Sequence, residues 1–246
     1  MRIFKNCSEM IKEIPREIFT RGMNVMDKTV QGKIVTKDEG FEQKELYGVA
    51  YTINDLSDKE DMLDIARNYF KKTHLCKEIG DEWINNIFSG NTEYESWWMM
   101  DSYTKEYFKK FCNEGTEENP KTSYTYAERI FPQIESVIKR LKENIYARGA
   151  YIAVYDSRDV ERIGRRIPCT LSMGFSVRNS LEGNKLNLFL HMRSQDAVNF
   201  MTLDIYKAIR ILEYVAESVE VKVGKLICYV DSLHAYKKDI PENIQW

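Results

Sequence analysis

Apolar positions along the chain follow two periods, and the switches between them divide it into elements. A helical spacing runs through about 9–21, where Pro15 predicts a break, and through about 58–72 and 78–89. It returns at 128–144, where Phe131, Ile134, Val137, Ile138 and Leu141 share one stripe. From Asp204 to Val219 the set Ile205, Ala208, Ile209, Leu212, Ala216 and Val219 follows i, i+3, i+4, i+7, the spacing of a core helix. Elsewhere the period is two. ELYGVAYTI (45–53) and AYIAVYD (150–156) have the β-branched and aromatic content of strands, and a last strand is expected at about 225–230. The strongest local signal is a hairpin with one buried face. Leu171, Met173, Phe175 and Val177 alternate, LEGNK turns the chain, and Leu186, Leu188, Leu190 and Met192 alternate again.

Hairpins mixed with a few long helices, without βαβ repetition or internal repeats, predict an α+β fold: a mixed or antiparallel sheet with flanking helices. The 246 residues fit a single domain over 1–246 with a substantial core. Residues 91–120, with Trp97, Trp98, Tyr103, Tyr107 and Phe108 and a polar end NEGTEENP, read as a small helical insertion or lid.

Composition narrows the partners. A net charge of -2, from 36 basic and 38 acidic residues intermixed throughout, supplies no basic field for a nucleic-acid polymer. The N-terminal MRIFKN lacks the apolar run of a signal peptide. No apolar stretch approaches the roughly 20 residues that span a bilayer, so a cytoplasmic protein without a membrane partner is expected. Five scattered cysteines, with neither a C-x-x-C pair nor a His/Cys cluster, fit a reducing compartment and predict no metal site.

Cys169, after Pro168 at the start of a strand, would by itself be read as a buried structural thiol. Its company points elsewhere: Ile-Pro-Cys opens the hairpin, MRSQDAV follows at 192–198, LDIY at 203–206 and DSLHAY at 231–236. In this order and at these separations the segments resemble thymidylate synthases and the related pyrimidine hydroxymethylases. SYTYAERIFPQI at 123–134 and RGMNVMDKT at 21–29 extend the resemblance upstream, and it is strongest over about 121–239. It implies a thymidylate synthase-like domain that adds a one-carbon unit to C5 of a pyrimidine nucleotide, with 5,10-methylenetetrahydrofolate as cofactor. Cys169 as thiolate would attack C6 and turn C5 into a carbon nucleophile, a role that suits a group both nucleophilic and easily expelled.

The same resemblance assigns roles to other residues. Arg193 and Ser194 would hold the nucleotide phosphate. Arg148 would reach the phosphate of the partner subunit in a homodimer with shared active sites, while Gly149 stands where the family has a second arginine. Lys28, in DKT where the family has Asp-Arg-Thr, would add a point charge. Tyr126 would line the base pocket, and His234 and Tyr236 would bond the sugar; the alternative for each is an ordinary half-buried polar residue, the commoner case for a lone histidine or tyrosine. Asp196 would lie near base and folate, or cap the following helix. Glu82 in GDEWINNIFSGN is the candidate for organising water and proton transfer, or else an exposed helix residue. After the last matched stretch only IPENIQW remains, so folate closure would draw on Trp97, Trp98 or Trp246.

Asp204 bears on the base. Eight residues after Asp196, thymidylate synthases carry an asparagine whose amide reads N3–H and O4 of uracil; here the reader is a carboxylate. A carboxylate can accept from the N4 amino group of cytosine and from N3 once it gains a proton, whereas against O4 it has no donor to offer. CMP or dCMP 5-hydroxymethylation is therefore the leading expectation, with ribose or deoxyribose undecided. A UMP or dUMP methylase or hydroxymethylase, requiring Asp204 to be protonated or water-bridged, is the alternative, and an inactive nucleotide-binding paralogue the reading from another class. Asp204 could also simply cap the 204–219 helix.

Overall fold

The computed structural model of the protein describes residues 1–25, 43–91, 114–115, 120–121, 125–161, 167–181 and 183–239. Lys28, Trp97, Trp98, Trp246 and almost all of the expected 91–120 insertion lie outside these residues. The elements run β1 (Arg2–Asn6), α1 (Cys7–Arg21), β2 (Met23–Val25), β3 (Gln43–Asp55), α2 (Lys59–Phe70), α3 (Lys77–Ser89), β4 (Glu114–Gly115), β5 (Pro120–Lys121), α4 (Tyr126–Glu143), β6 (Tyr151–Ala153), β7 (Thr170–Ser180), β8 (Gly183–Met192), β9 (Gln195–Asp196), α5 (Met201–Ser218) and β10 (Lys222–Tyr236).

Eight of the described strands form one mixed sheet in the order β1-β3-β10-β8-β7-β6, with β2 beside β3 and β9 beside β10. β10 is its axis, antiparallel to β3 and parallel to β8 and β9. Because alternate residues face opposite sides, two rows cross the sheet in register. Tyr51, Cys228, Leu190, Met173 and Ile152 face the core and are buried. On the other face run Ile3, Thr52, Ile227, Phe189, Gly174 and Tyr151, where Ile3 and Tyr151 are exposed.

Helix α5 lies against β8 and β10 on the core side and is covered in turn by α2, α3 and α4. Every residue from Met201 to Ile209 is therefore buried, as expected of a helix enclosed on all sides. The close approach of α3 depends on Gly80, since a Cβ there would sit 2.7 Å from the Tyr206 ring.

Four expectations are corrected. α1 runs unbroken through Pro15. A proline inside a helix costs about 3 kcal/mol, but Met10, Ile11, Ile14, Ile18 and Phe19 bury one continuous stripe, each contributing about 1.5–3 kcal/mol. α5 begins at Met201, with Phe200 as N-cap, so Asp204 is inside the first turn and not a cap. The first face of the hairpin is interrupted: a register shift between Thr170 and Ser172 buries Thr170 and leaves Leu171 only partly covered. The last strand spans Lys222–Tyr236, because β3 and β9 continue its pairing past Val230 through DSLHAY. β1, paired parallel to β3, is too short to announce itself in the hydrophobic pattern.

Candidate active site

Three strand ends and two helix starts converge at one end of the sheet. Pairing of Thr170 with Met192 brings the start of β7 beside the end of β8, and the Arg193 amide donates to the Cys169 carbonyl at 2.8 Å. The Arg193 side chain folds back over the same segment. Its Nε donates to Pro168 O at 2.8 Å and its Nη2 to Ile167 O at 2.9 Å, with Nη2 3.8 Å from Cys169 Sγ. One guanidinium thus shapes the approach to Cys169 and sets a cation beside its sulfur. Among the described residues the remaining donors of its fork have no hydrogen-bond partner, and they suit an anion. The other described thiols are in different settings: burial raises Cys7, Cys76 and Cys228, the last to about 12. Half-buried Cys169, next to a cation, is the described cysteine placed to act as a nucleophile.

The end of β10 closes a second side. β9 pairs with it so that Asp196 lies opposite His234, while Ser194 Oγ is 3.5 Å from His234 Nδ1 and the His234 and Tyr236 rings meet edge to face at 5.7 Å. Asp196 is buried, which raises its carboxyl above the usual range. Oδ1 accepts from the amides of Val198 and Asn199, each at 3.0 Å, and Oδ2 from Asn199 Nδ2 at 2.9 Å. Asp196 therefore organises the turn into α5. Asn199 Nδ2 also donates to Asp239, which Lys72 holds by an ion pair at 2.7 Å, tying the chain after β10 to the same turn.

The third side is the first two turns of α5 under the start of α4. Asp204 accepts through Oδ1 from Lys207 Nζ at 3.0 Å, and among the described residues no hydrogen bond reaches Oδ2. The Lys207 side chain is 1% exposed and that of Asp204 10%, so the ammonium lies beneath the carboxylate. Lys207 Nζ also sits 3.9 Å from the Tyr126 ring centroid and 5.5 Å from that of Trp83 on α3. Burial alone would lower the Lys207 ammonium, but the fields of Asp204, Tyr126 and Cys169 outweigh it and hold it above the ordinary lysine value. Cys169, Tyr126, Asp204 and Lys207 thus lie within electrostatic reach of one another. Tyr126 OH is 3.5 Å from the amide of Thr170.

The residues singled out from the sequence divide accordingly. Cys169, Arg193, Ser194, Asp196, Asp204, Tyr126, His234 and Tyr236 come together. Arg148, exposed in the turn after α4, stands outside the cluster, and Lys28 lies outside the described residues. Glu82 is half-buried on α3 with no described contact to the cluster; the α3 residue that faces Lys207 is its neighbour Trp83. Lys207 and Trp83 were not anticipated. The sequence holds a partial signal, a lysine three residues after Asp204 on one helix, but Arg210, Glu213 and Glu217 follow on the same helix, and only its enclosure distinguishes Lys207 from them.

The family model for thymidylate synthase matches residues 63–245. A provisionally assigned thymidylate synthase of Methanosarcina barkeri is 29% identical over 170 residues, covering 65% of this chain and 74% of that protein. A provisionally assigned thymidylate synthase of Methanosarcina mazei is 30% identical over 169 residues, with the same coverage of both chains. The solved structure of thymidylate synthase from T4 phage superposes with a TM-score of 0.64 at 18% identity, over 94% of this chain and 79% of that one, which matches the fold.

Proposed function

The chain belongs to the thymidylate synthase family, and from that premise we propose that it hydroxymethylates C5 of a cytidine monophosphate, CMP or dCMP, through a covalent bond from Cys169 to C6. The family transfers a one-carbon unit to C5 of a pyrimidine nucleotide, with 5,10-methylenetetrahydrofolate as cosubstrate. The observation that carries the choice of base is the Asp204–Lys207 ion pair, 3.0 Å long and buried beside Cys169. With Oδ1 accepting from the lysine, the other oxygen of this carboxylate is presented as an acceptor. It matches the amino group of cytosine and repels O4 of uracil, whose recognition would need a donor there. The hydroxymethyl outcome is proposed from this same carboxylate, by which the cytidylate hydroxymethylases differ from the methylases.

A thiolate at Cys169, beside the Arg193 guanidinium, adds to C6 of the ring, and electron density moves toward N3. Asp204 accepts from the N4 amino group and from N3 as it gains a proton, stabilising the charge that builds up on that edge. C5 is then nucleophilic: it would bond the one-carbon unit that a bound folate supplies and lose its own proton to solvent, water would supply the hydroxyl oxygen, and Sγ is expelled to restore the ring. Arg193 and Ser194 hold the phosphate, with Arg148 of a second copy and Lys28 adding charge, and His234 and Tyr236 hold the sugar. A reduced pterin needs a carboxylate acceptor and a flat apolar wall. Asp196, whose Oδ2 carries one hydrogen bond among the described residues, and half-buried Trp83 offer both. When bound there, the folate supplies carbon at the methylene oxidation level. The row Ile3, Ile227, Phe189 and Tyr151 on the open face of the sheet supports a homodimer.

The test is tritium release from C5-labelled CMP and dCMP, with UMP and dUMP as controls, in wild type and Cys169→Ala, and the mass of the product. Cys169-dependent release from a cytidylate, with a hydroxymethylated product, is expected. Release from uridylates alone would replace this reading with a uridylate methylase, and no release from any nucleotide with a binding protein.

A further inference from the structure

We propose that Lys207 is a specificity-determining positioning residue, pinning one oxygen of Asp204 from beneath so that the other faces the substrate as an acceptor and never as a donor. The proposal rests on Asp204 as the group that reads the base.

Three observations carry it. The pair is layered, with the ammonium 1% exposed and the carboxylate 10% exposed, so substrate meets Asp204 and not Lys207. Oδ1 is taken by Lys207, which leaves Oδ2 as the oxygen free of hydrogen bonds among the described residues. Lys207 is itself fixed, between Asp204 at 3.0 Å and the faces of Tyr126 and Trp83. A lysine otherwise loses much rotamer freedom when buried, and an apolar residue would fill the same space without desolvating a charge. A buried ion pair of this kind is weak evidence for stability, so its use lies in what it does to Asp204.

Consider the carboxylate without it. Groups facing Asp204 from the surrounding elements are Tyr51 on β3, Cys228 on β10, Tyr126 on α4 and Lys207 on its own helix. Burial raises the first three, so they are neutral near pH 7, and among these groups Lys207 alone supplies positive charge. Deprived of it, a buried carboxylate holds its proton to higher pH and becomes a hydroxyl that can donate. A donor at this position suits O4 of uracil. Lys207 thereby turns an ambiguous carboxyl into a fixed acceptor, and discrimination between the two bases becomes independent of pH.

The experiment compares wild type, Lys207→Met and the double variant Asp204→Asn with Lys207→Met. The ratio of kcat/KM for C5 tritium release from cytidylate and uridylate is measured from about pH 6 to about pH 8, alongside infrared titration of the carboxylate band that Asp204→Asn removes. Wild type should hold a flat ratio. In Lys207→Met the ratio should fall by about tenfold or more toward acid, because Asp204 now takes up a proton as pH drops and the balance of its two forms changes about tenfold for each pH unit. A folded Lys207→Met protein with a flat, wild-type ratio would overturn the proposal. The double variant, which leaves no unpaired charge, checks the premise and should turn to uridylate. If Lys207→Met does not fold, Lys207→Gln, which can still donate to Oδ1 but carries no charge, takes its place: its ratio should fall toward acid in the same way, and a flat, wild-type ratio overturns the proposal equally. The infrared arm separates the two readings. A wild type inactive on cytidylates, in which Lys207→Met still shifts the Asp204 band, removes the proposed substrate but keeps the pinning; an unshifted band removes the pinning.

Discussion

Gly80→Ala is a strong test of how α3 is seated on α5, because two effects of opposite sign meet there. In a helix, alanine is favoured over glycine by about 1 kcal/mol. Here the new Cβ would lie 2.7 Å from Cδ1 and 2.8 Å from Cε1 of Tyr206, closer than such atoms approach. The ring cannot simply swing aside. Tyr206 is fully buried, donates to Asp81 at 2.7 Å and accepts from Arg210 at 2.9 Å. Overpacking costs about 1–3 kcal/mol, and loosening a hydrogen bond to a charged partner about 1.5–3 kcal/mol more if the ring moves. After the propensity gain, a net loss of about 2 kcal/mol remains, or about 4–8 °C in Tm for a chain of this size. Calorimetry and urea denaturation measure it. Adding Tyr206→Leu should recover part of the loss, since it removes the ring that the methyl strikes. A Gly80→Ala protein as stable as wild type, or a double variant that simply adds the two losses, would refute this account of the packing.

Two other outcomes follow from buried charge. Arg129, whose side chain is 6% exposed, donates to fully buried Asp159 at 3.1 Å; Arg129→Met removes this ion pair from a buried carboxylate and should destabilise the protein by up to about 3–5 kcal/mol in urea denaturation, a variant as stable as wild type contradicting the pairing. Lys207 is held above the ordinary lysine value of 10.5, so the folded state binds its proton more tightly than the unfolded chain does. The stability this adds is fully present below 10.5 and is lost as pH rises through the higher folded value. Thermal midpoints of wild type should consequently fall more steeply in that alkaline range than those of Asp204→Asn with Lys207→Met, and parallel curves would contradict it.

The regular parts of the fold were legible because burial imposes a period. The hairpin could be read from Met173, Phe175 and Val177 against Leu186, Leu188 and Leu190, and helix α4 from its single stripe. What escaped was non-local. Pro15 breaks a helix in isolation, and only the buried stripe around it shows that the helix survives. Leu171 fits the alternation, but the shift that turns it outward arises in pairing with β8. At the site, motif order grouped Cys169, Arg193, Ser194, Asp196, Asp204 and His234, yet it said nothing of what lies beneath them. Lys207 reads as one more charged position on a helix until every neighbour from Met201 to Ile209 proves buried. Glu82 and Trp83 are adjacent in sequence, and only the seating of α3 on α5 decides which of them meets the cluster.

The central position of β10 has a consequence for how the molecule is made. Its neighbours, β3 and β8, are contributed by earlier stretches of chain and do not pair with each other. Until residues 222–236 have been made, the earlier strands fall into two groups with no pairing between them, β1 with β2 and β3 on one side and β6 with β7 and β8 on the other, and each group lacks the neighbour of its inner strand. A chain interrupted before Lys222 cannot close that gap, and its unpaired edges invite self-association. The strand that joins the halves also carries His234 and Tyr236, so assembly of the sheet and completion of the active site are one event, reached only once residues 222–236 have been made.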